Sequence, residues 1–364
     1  MAIFLIVLFV LTTFTLRFIQ KPQFGRISSG KRMERIKRSP NYRNGKFQNI
    51  NVTSDLTEGV SYFKVLKDVL FNKSKRVRPP VALPSQRTSL HSLNADKDVL
   101  IWFGHSSYFF QLDGKKFLVD PIFSGRSSPL RFTTRSYKGS DVYTAEDIPE
   151  IDYLILTHDH WDHLDYETVT KIKPKVRKVI TGLGLGAHLE HWGYPEEIIT
   201  ECDWKEELVL DGGFTIYTVP ARHFSGRSLK RNQVLWMSFL VSSPTMKIYI
   251  GGDSGYDSHF EAVGNTFGPV DLAILECGQY DKNWKYIHMS PSEIARAAAD
   301  LKAKALLPVH WAKFALALHP WDEPINQLTE ECMKRNMPVL HPMIGEEVNL
   351  KQLKVWSRWW ENII

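Results

Sequence analysis

The sequence predicts an α/β fold, a four-layer αββα sandwich in which two mixed β-sheets face each other with helices outside. Three observations lead there. Hairpin signals fall early in the body, at Asp113-Gly114 and again at Asp211-Gly212-Gly213. Strand–helix alternation takes over in the later part of the chain. Residue clusters suited to binding metal stand just past the C-terminal ends of short apolar runs, at His158–His163, His223, Asp253 and His310. Loops at strand ends are where sheet-based proteins carry their chemistry.

The 364 residues divide into an N-terminal apolar segment (1–20), a basic approach segment (21–97), a body (98–350) and a C-terminal tail (351–364). A hydrophobic fraction of 43% and a charged fraction of 24% describe an ordinary globular chain. Ala2 to Leu16 carries no charge and, apart from three threonines, is apolar. That is the length of a signal-peptide core and short of the roughly 20 residues a spanning helix needs. No basic residue precedes it and no small-x-small cleavage site follows, so an uncleaved membrane anchor is the expectation. The charges behind it place the body on the cytoplasmic side. A cleaved, secreted or periplasmic form is one alternative, and a helix packed on the body is another.

Lys21, Arg26, Lys31, Arg32, Arg35, Lys37 and Arg38 face one acid, Glu34, in the first forty residues. Beside an apolar segment such a run reads as attraction to a membrane surface. The net charge of +6 is not arranged as a basic stripe with stacking aromatics, so nucleic acid is not an expected partner. Cys202, Cys277 and Cys332 are isolated, which gives neither a disulfide framework nor a cysteine metal cluster.

A helix is expected over Tyr62–Asn72, and Arg78-Pro79-Pro80 to Pro84 is expected to be extended. In the body, Val99–Phe103 reads as a strand, and Tyr108–Leu112 with Lys116–Val119 as a hairpin. Tyr153–Leu156 is a short buried strand, followed by a helix at Tyr166–Lys173, a strand at Lys178–Thr181 and a short helix at Gly184–Trp192. Glu207–Leu210 and Thr215–Val219 form the second hairpin. Val234–Val241, Met246–Ile250, Leu272–Leu275 and Ala305–Leu307 are further strands. Ser290-Pro291-Ser292-Glu293 is a capping box opening a helix to about Lys302, and Asp322–Arg335 is the last helix.

The segment His158-Asp-His160-Trp-Asp162-His163 carries the chemistry. His158 and His160 are two apart, so in an extended segment both leave the same face. Asp162 and His163 are adjacent, must diverge, and can serve a second centre beside the first. Imidazole and carboxylate are zinc donors, and iron or manganese accept the same set.

With His223, Asp253 and His310, this segment resembles the metallo-β-lactamase superfamily pattern of H-x-H-x-D-H followed by separate His, Asp and His. Further motifs narrow the likeness: Trp102-Phe-Gly-His105-Ser-Ser, Val119-Asp-Pro-Ile-Phe-Ser, His223-Phe-Ser-Gly-Arg, Gly252-Asp-Ser-Gly-Tyr256 and His310-Trp-Ala-Lys-Phe-Ala-Leu. They are similar to the branch holding N-acylphosphatidylethanolamine-hydrolysing phospholipase D and sugar-phosphate lactonases. The likeness runs from about Ser39 to residue 350 and implies a hydrolase domain at residues 98–350. It implies two zinc ions, one on His158, His160 and His223, the other on Asp162, His163 and His310, with Asp253 bridging. Two such ions lower the pKa of a shared water from about 16 to about 7, giving hydroxide for attack on phosphorus or carbonyl carbon. Asp162 is expected to be catalytically essential. His288 matches a histidine near the substrate phosphate in that branch, which implies substrate contact or proton transfer. Packing before the capped helix is its other reading.

His105 is read as ordering the first hairpin or supporting a ligand. His91, His188, His191, His259, His319 and His341 are read as structural, and Trp161, Trp311 and Phe314 as pocket wall or core. The expected activity is a phospholipase D-type phosphodiesterase on N-acylphosphatidylethanolamine-like lipids. A lactonase or phosphodiesterase for a small soluble substrate is the rival, and a non-catalytic metal-binding membrane protein is the alternative of another class. The expected partners are that phospholipid or small phosphodiester or lactone, a membrane surface, and a second copy of the chain as a homodimer.

Overall fold

The computed structural model describes residues 1–364 apart from 131, 353, 355 and 364. The chain enters through α1 (Ala2–Ile19), α2 (Gly30–Arg38), a small hairpin of β1 (Tyr42–Arg43) and β2 (Lys46–Phe47), and α3 (Tyr62–Phe71). Then come β3 (Val99–Trp102), β4 (Tyr108–Leu112), β5 (Lys115–Val119), β6 (Ile151–Leu156), β7 (Val176–Gly182) and β8 (Ile199–Cys202). With β15 (Glu347–Asn349) at one edge they form a sheet ordered β15-β3-β4-β5-β6-β7-β8. Its first half is antiparallel and its second half, from β5 to β8, parallel.

The second sheet holds β9 (Glu207–Val209), β10 (Thr215–Val219), β11 (Ser238–Ser242), β12 (Lys247–Ile250), β13 (Leu272–Glu276) and β14 (Leu306–Val309). It is antiparallel from β9 to β12 and parallel from β12 to β14. Both sheets are mixed, as expected.

The layering follows from alternation along the strands. Leu100, Trp102, Tyr108, Phe110, Phe117 and Val119 share one core with Phe214, Ile216, Phe239 and Val241 of the facing sheet. Their neighbours Ile101, Phe103, Phe109 and Leu118 join a second core. Val169 and Ile172 of α4 (Tyr166–Ile172) and Leu189 of α5 (Gly186–His191) close it. A strand with period 2 that is apolar on both faces must be covered on both. Helices α6 (His259–Phe267), α7 (Pro291–Asp300) and α8 (Glu323–Lys334) contribute Val263, Ile294, Ala298, Ile325 and Leu328 to the second sheet's packing.

The capping box forms as read: Ser290 N–H and Oγ–H both donate to Glu293 at 2.8 Å. The expected strand Val234–Val241 pairs only from Ser238. Its first four residues are buried and tie loops together, with Leu235 N–H donating to Leu183 O at 2.8 Å and Met237 N–H to Thr157 O at 3.2 Å. Strands β8 and β15 and helix α6 were not expected. Ile199-Thr-Glu-Cys is short and half polar, and its strand character comes from pairing with β7.

The N-terminal expectation needs correction. Among the described residues no helix is long and apolar enough to cross a membrane, which removes the support for an anchor and for the membrane placement of the body built on it. Helix α1 has 18 residues, and at 1.5 Å per residue this gives about 27 Å against a hydrocarbon core of about 30 Å. Its C-terminal end meets the body through Phe18, which packs edge-on to Phe24 at 5.3 Å, and Phe24 on Trp161 at 5.2 Å. The basic run also has internal partners. Arg32 donates to Glu190 at 2.8 Å and to Glu201 at 2.6 Å, and Arg35 donates to the carbonyl of Glu201 at 2.7 Å. At the other terminus Trp359 and Trp360 are buried against Trp311, at 5.4 and 5.5 Å between ring centroids.

Candidate metal centre

Every ligand-type residue named from the sequence comes to one place. The β6 end delivers His158, His160, Asp162 and His163; β10 leads to His223, β12 to Asp253, β14 to His310. The loop after β12 passes so close to β6 that a Cβ on Gly252, where φ is +59°, would lie 3.0 Å from Thr157 Cβ. Glycine is required there on both counts. His105 and His310 also take positive φ, +52° and +67°. They hold each other: His310 N–H donates to His105 O at 2.9 Å, and His105 N–H to Trp311 O at 2.9 Å. Left-handed backbone at non-glycine residues is a strain that structures retain mainly at working sites.

The donors form two groups. In the first, His160 Nδ1 lies 2.9 Å from His158 Nε2 and 3.2 Å from His223 Nε2. Asp253 Oδ2 is 3.8 and 3.7 Å from the His158 and His223 nitrogens. In the second, Asp253 Oδ1 is 3.1 Å from His163 Nε2 and 3.2 Å from His310 Nδ1, and Asp162 Oδ2 is 3.7 Å from His163 Nε2. Asp253 thus turns one oxygen to each group.

These spacings fit a metal. Tetrahedral zinc with bonds near 2.1 Å sets its donor atoms about 3.4 Å apart. The satisfaction of buried polar atoms agrees: among the described residues, His163 Nε2 and Asp253 Oδ1, both turned to the second group, are buried without a hydrogen-bond partner, a costly state for donors and acceptors that serve no ligand. Burial also keeps the imidazoles of His158, His223 and His310 well below the ordinary histidine range and lowers His160 to about 4. They are therefore neutral, the form that coordinates. His163 differs: burial opposes its charge, but Asp253, Asp162 and Asp120 outweigh that and hold its proton. A cation competes with that proton for the same nitrogen. Burial pushes Asp253 up to about 6.

The supporting residues were mostly not read from the sequence. Asp120 accepts from Thr157 N–H at 2.9 Å and Thr157 Oγ–H at 2.7 Å, and its Oδ2 lies 2.8 Å from His163 Nδ1. Ile287 O lies 2.9 Å from His223 Nδ1, and Ser106 Oγ lies 2.9 Å from His310 Nδ1, the same nitrogen that faces Asp253. His105, fully buried, sets Nε2 2.9 Å from Asp162 Oδ2, in keeping with the ligand-supporting reading. Glu276 ends β13 fully buried, with Oε2 2.6 Å from His288 Nδ1 and Oε1 accepting from Met289 N–H at 2.7 Å. Burial raises Glu276 and lowers His288, so the pair forms one neutral acid–imidazole unit. Asp120 and Glu276 both follow apolar strands, and the strand-end rule applied to carboxylates would have found them.

The cavity of about 270 Å³ at the donors is lined by Leu56, Tyr62, Phe224, Trp284, Ile287 and Leu316, with His288 on its wall. Trp311 and Phe314 are core instead. Trp161 lines a separate groove with Phe14 and Phe18. His188 is structural: its Nδ1 accepts from Arg26 N–H at 2.9 Å.

A sequence model of the β-lactamase superfamily domain matches residues 115–311. An uncharacterised protein of Mycobacterium tuberculosis is 36% identical over 326 residues, 88% of this chain and 87% of that protein. N-acyl-phosphatidylethanolamine-hydrolyzing phospholipase D 1 of Caenorhabditis elegans is 30% identical over 243 residues, 63% of this chain and 68% of that enzyme. The isothiocyanate hydrolase from Delia radicum gut bacteria superposes with a TM-score of 0.55 at 21% identity, covering 69% of this chain and 98% of that one. The chain belongs to the β-lactamase superfamily, in the metallo-β-lactamase branch that includes N-acylphosphatidylethanolamine-hydrolysing phospholipase D. It is a metal-dependent hydrolase of that fold.

Proposed function

We propose that the chain is a phospholipase D-type phosphodiesterase acting on N-acylphosphatidylethanolamine-like lipids with two zinc ions. The observation that carries this reading is Asp253, whose two oxygens face two separate donor groups 3.1 to 3.8 Å away. His158, His160 and His223 would hold one ion, Asp162, His163 and His310 the other, and Asp253 both. Divalent ions there supply Lewis acidity toward a phosphoryl or carbonyl oxygen and make water a nucleophile at neutral pH. The lipid substrate is supported by the 30% identity to the nematode enzyme.

The chain's own groups handle the rest. In diester hydrolysis the oxygen of water bonds to phosphorus, the bond to the departing alcohol breaks, and that alcohol takes up one proton. His288 lies on the cavity wall with Nδ1 occupied by Glu276, which leaves Nε2 to the cavity as the proton donor. A cavity of about 270 Å³ has room for a scissile phosphate with part of a head group, and on this reading the acyl chains would lie outside it. That size also suits a small soluble diester or lactone, the second reading.

The test offers zinc-loaded full-length chain N-acylphosphatidylethanolamine in detergent micelles, beside bis(4-nitrophenyl) phosphate and a sugar lactone, with products followed by mass spectrometry. Phosphatidic acid from the lipid is the expected result. Cleavage of the soluble substrates alone moves the activity to the small-molecule reading.

A further inference from the structure

Among the described residues, Arg231 is the one cationic side chain in the lining of the cavity over the donors. Its guanidinium lies 4.2 Å from the centroid of Phe224. That ring packs in turn on His160 at 4.4 Å and His223 at 4.8 Å. One aromatic ring therefore separates the cation from the first donor group. Nη1 of Arg231 donates to Asp55 Oδ2 at 2.6 Å, and both side chains are 39% exposed. Among the described residues, Nε and Nη2 have no partner, so one edge of the planar fork is unpaired in a side chain that lines the cavity.

An exposed ion pair of this kind contributes little to stability. A guanidinium stacked on an aromatic ring and fixed at one nitrogen is, however, pre-organised to grip an oxyanion with its remaining N–H groups. The other charged groups of the lining, Asp55, Asp162 and Asp253, are acids. Among the described residues, the fixed protein cation that an anionic substrate meets on entering here is Arg231.

We propose that Arg231, stacked on Phe224 and tethered by Asp55, binds the phosphoryl oxygens of the substrate at the cavity mouth and so selects anionic over neutral substrates. This rests on the cavity being the hydrolytic site, and it names the substrate class by charge. Asp55 has a double role: it aims the guanidinium and competes with the substrate for it.

The test uses the zinc-loaded full chain and phenyl phosphate, followed by intrinsic fluorescence because Trp284 lines the same cavity. Arg231→Gln weakens phenyl phosphate binding about tenfold, the loss expected for a charge-assisted hydrogen bond, and Arg231→Lys restores part of it. Asp55→Asn keeps or tightens binding, because it removes the competing carboxylate. Equal weakening in Arg231→Gln and Asp55→Asn would make the pair a structural strap, and unchanged binding in Arg231→Gln would remove it from the site; either overturns the proposal. KM for bis(4-nitrophenyl) phosphate separates this from the hydrolase reading. Arg231-dependent phenyl phosphate binding without diester cleavage by the wild type leaves the anion site standing and removes the diesterase. Diester cleavage with the same KM in Arg231→Gln does the reverse.

Discussion

Replacing Asp120 by asparagine tests how the second donor group is held. Asp120 is 1% exposed, and both of its oxygens are engaged. Asparagine keeps its shape and can still accept from Thr157 N–H through Oδ1. Its amide nitrogen then stands where Oδ2 stood, 2.7 Å from Thr157 Oγ and 2.8 Å from His163 Nδ1. An N–H cannot face the N–H of His163 Nδ1, so the ring must carry its proton on Nε2 instead. That nitrogen is the one beside Asp253 and Asp162, and a protonated nitrogen cannot bind metal. Removing a carboxylate that orients a ligating histidine costs about 10- to 100-fold in metal affinity, or about 1.4 to 2.7 kcal/mol. Chelator competition on purified Asp120→Asn, read as zinc released per chain, is expected to show one ion lost 10- to 100-fold more readily and the other held as in the wild type. Circular dichroism confirms folding. If both ions leave at wild-type chelator concentrations, the tautomer argument fails.

Asp162→Asn removes a carboxylate donor; it is expected to hold one zinc instead of two by atomic absorption and to lose most of its activity while folded. Unchanged metal content and rate would refute the ligand assignment. His288→Ala lowers turnover without lowering zinc content, and Glu276→Gln shifts the pH–rate profile in the same site; a wild-type rate in His288→Ala takes that residue out of the reaction. Docking of α2 is pH-dependent. Arg32 holds the Glu190 carboxylate below its ordinary value, so its contribution is present above about pH 4.3 and fades as pH falls through the lower folded value. The protection of the α2 amides, measured against their intrinsic exchange rate at each pH, should therefore fall below about pH 4. Arg32→Ala, which leaves Glu201 Oε2 without its cation at 8% exposure, destabilises the protein by about 1–3 kcal/mol and removes that pH dependence.

Much of the fold was legible because it rests on local patterns. Apolar runs with period 2, turn residues at Asp113-Gly114 and the Ser290 capping box each have a mechanism confined to a few neighbouring residues. The misses share a cause. Strand β8 and the missing first half of the Val234–Val241 strand depend on what lies alongside them, as does the edge strand β15. The anchor reading of residues 1–20 failed in a similar way. It weighed apolarity without knowing that Phe18 meets Phe24. The basic run was read without knowing that Arg32 finds Glu190 and Glu201 more than 150 positions away.

The sequence by itself determined the class of chemistry. His158, His160, Asp162 and His163 sit within six residues, and donor type with spacing limits what such a segment can bind. Tertiary structure alone decided how the donors are held and aimed. Asp120 reaches His163 across 43 positions, Ser106 reaches His310 across 204, and Glu276 becomes the partner of His288 only because β13 ends beneath it. Arg231 enters the site by stacking on Phe224. Ligand identity is a property of side chains and their local spacing. Protonation state, tautomer and orientation are set by neighbours in space, which only the folded chain brings together.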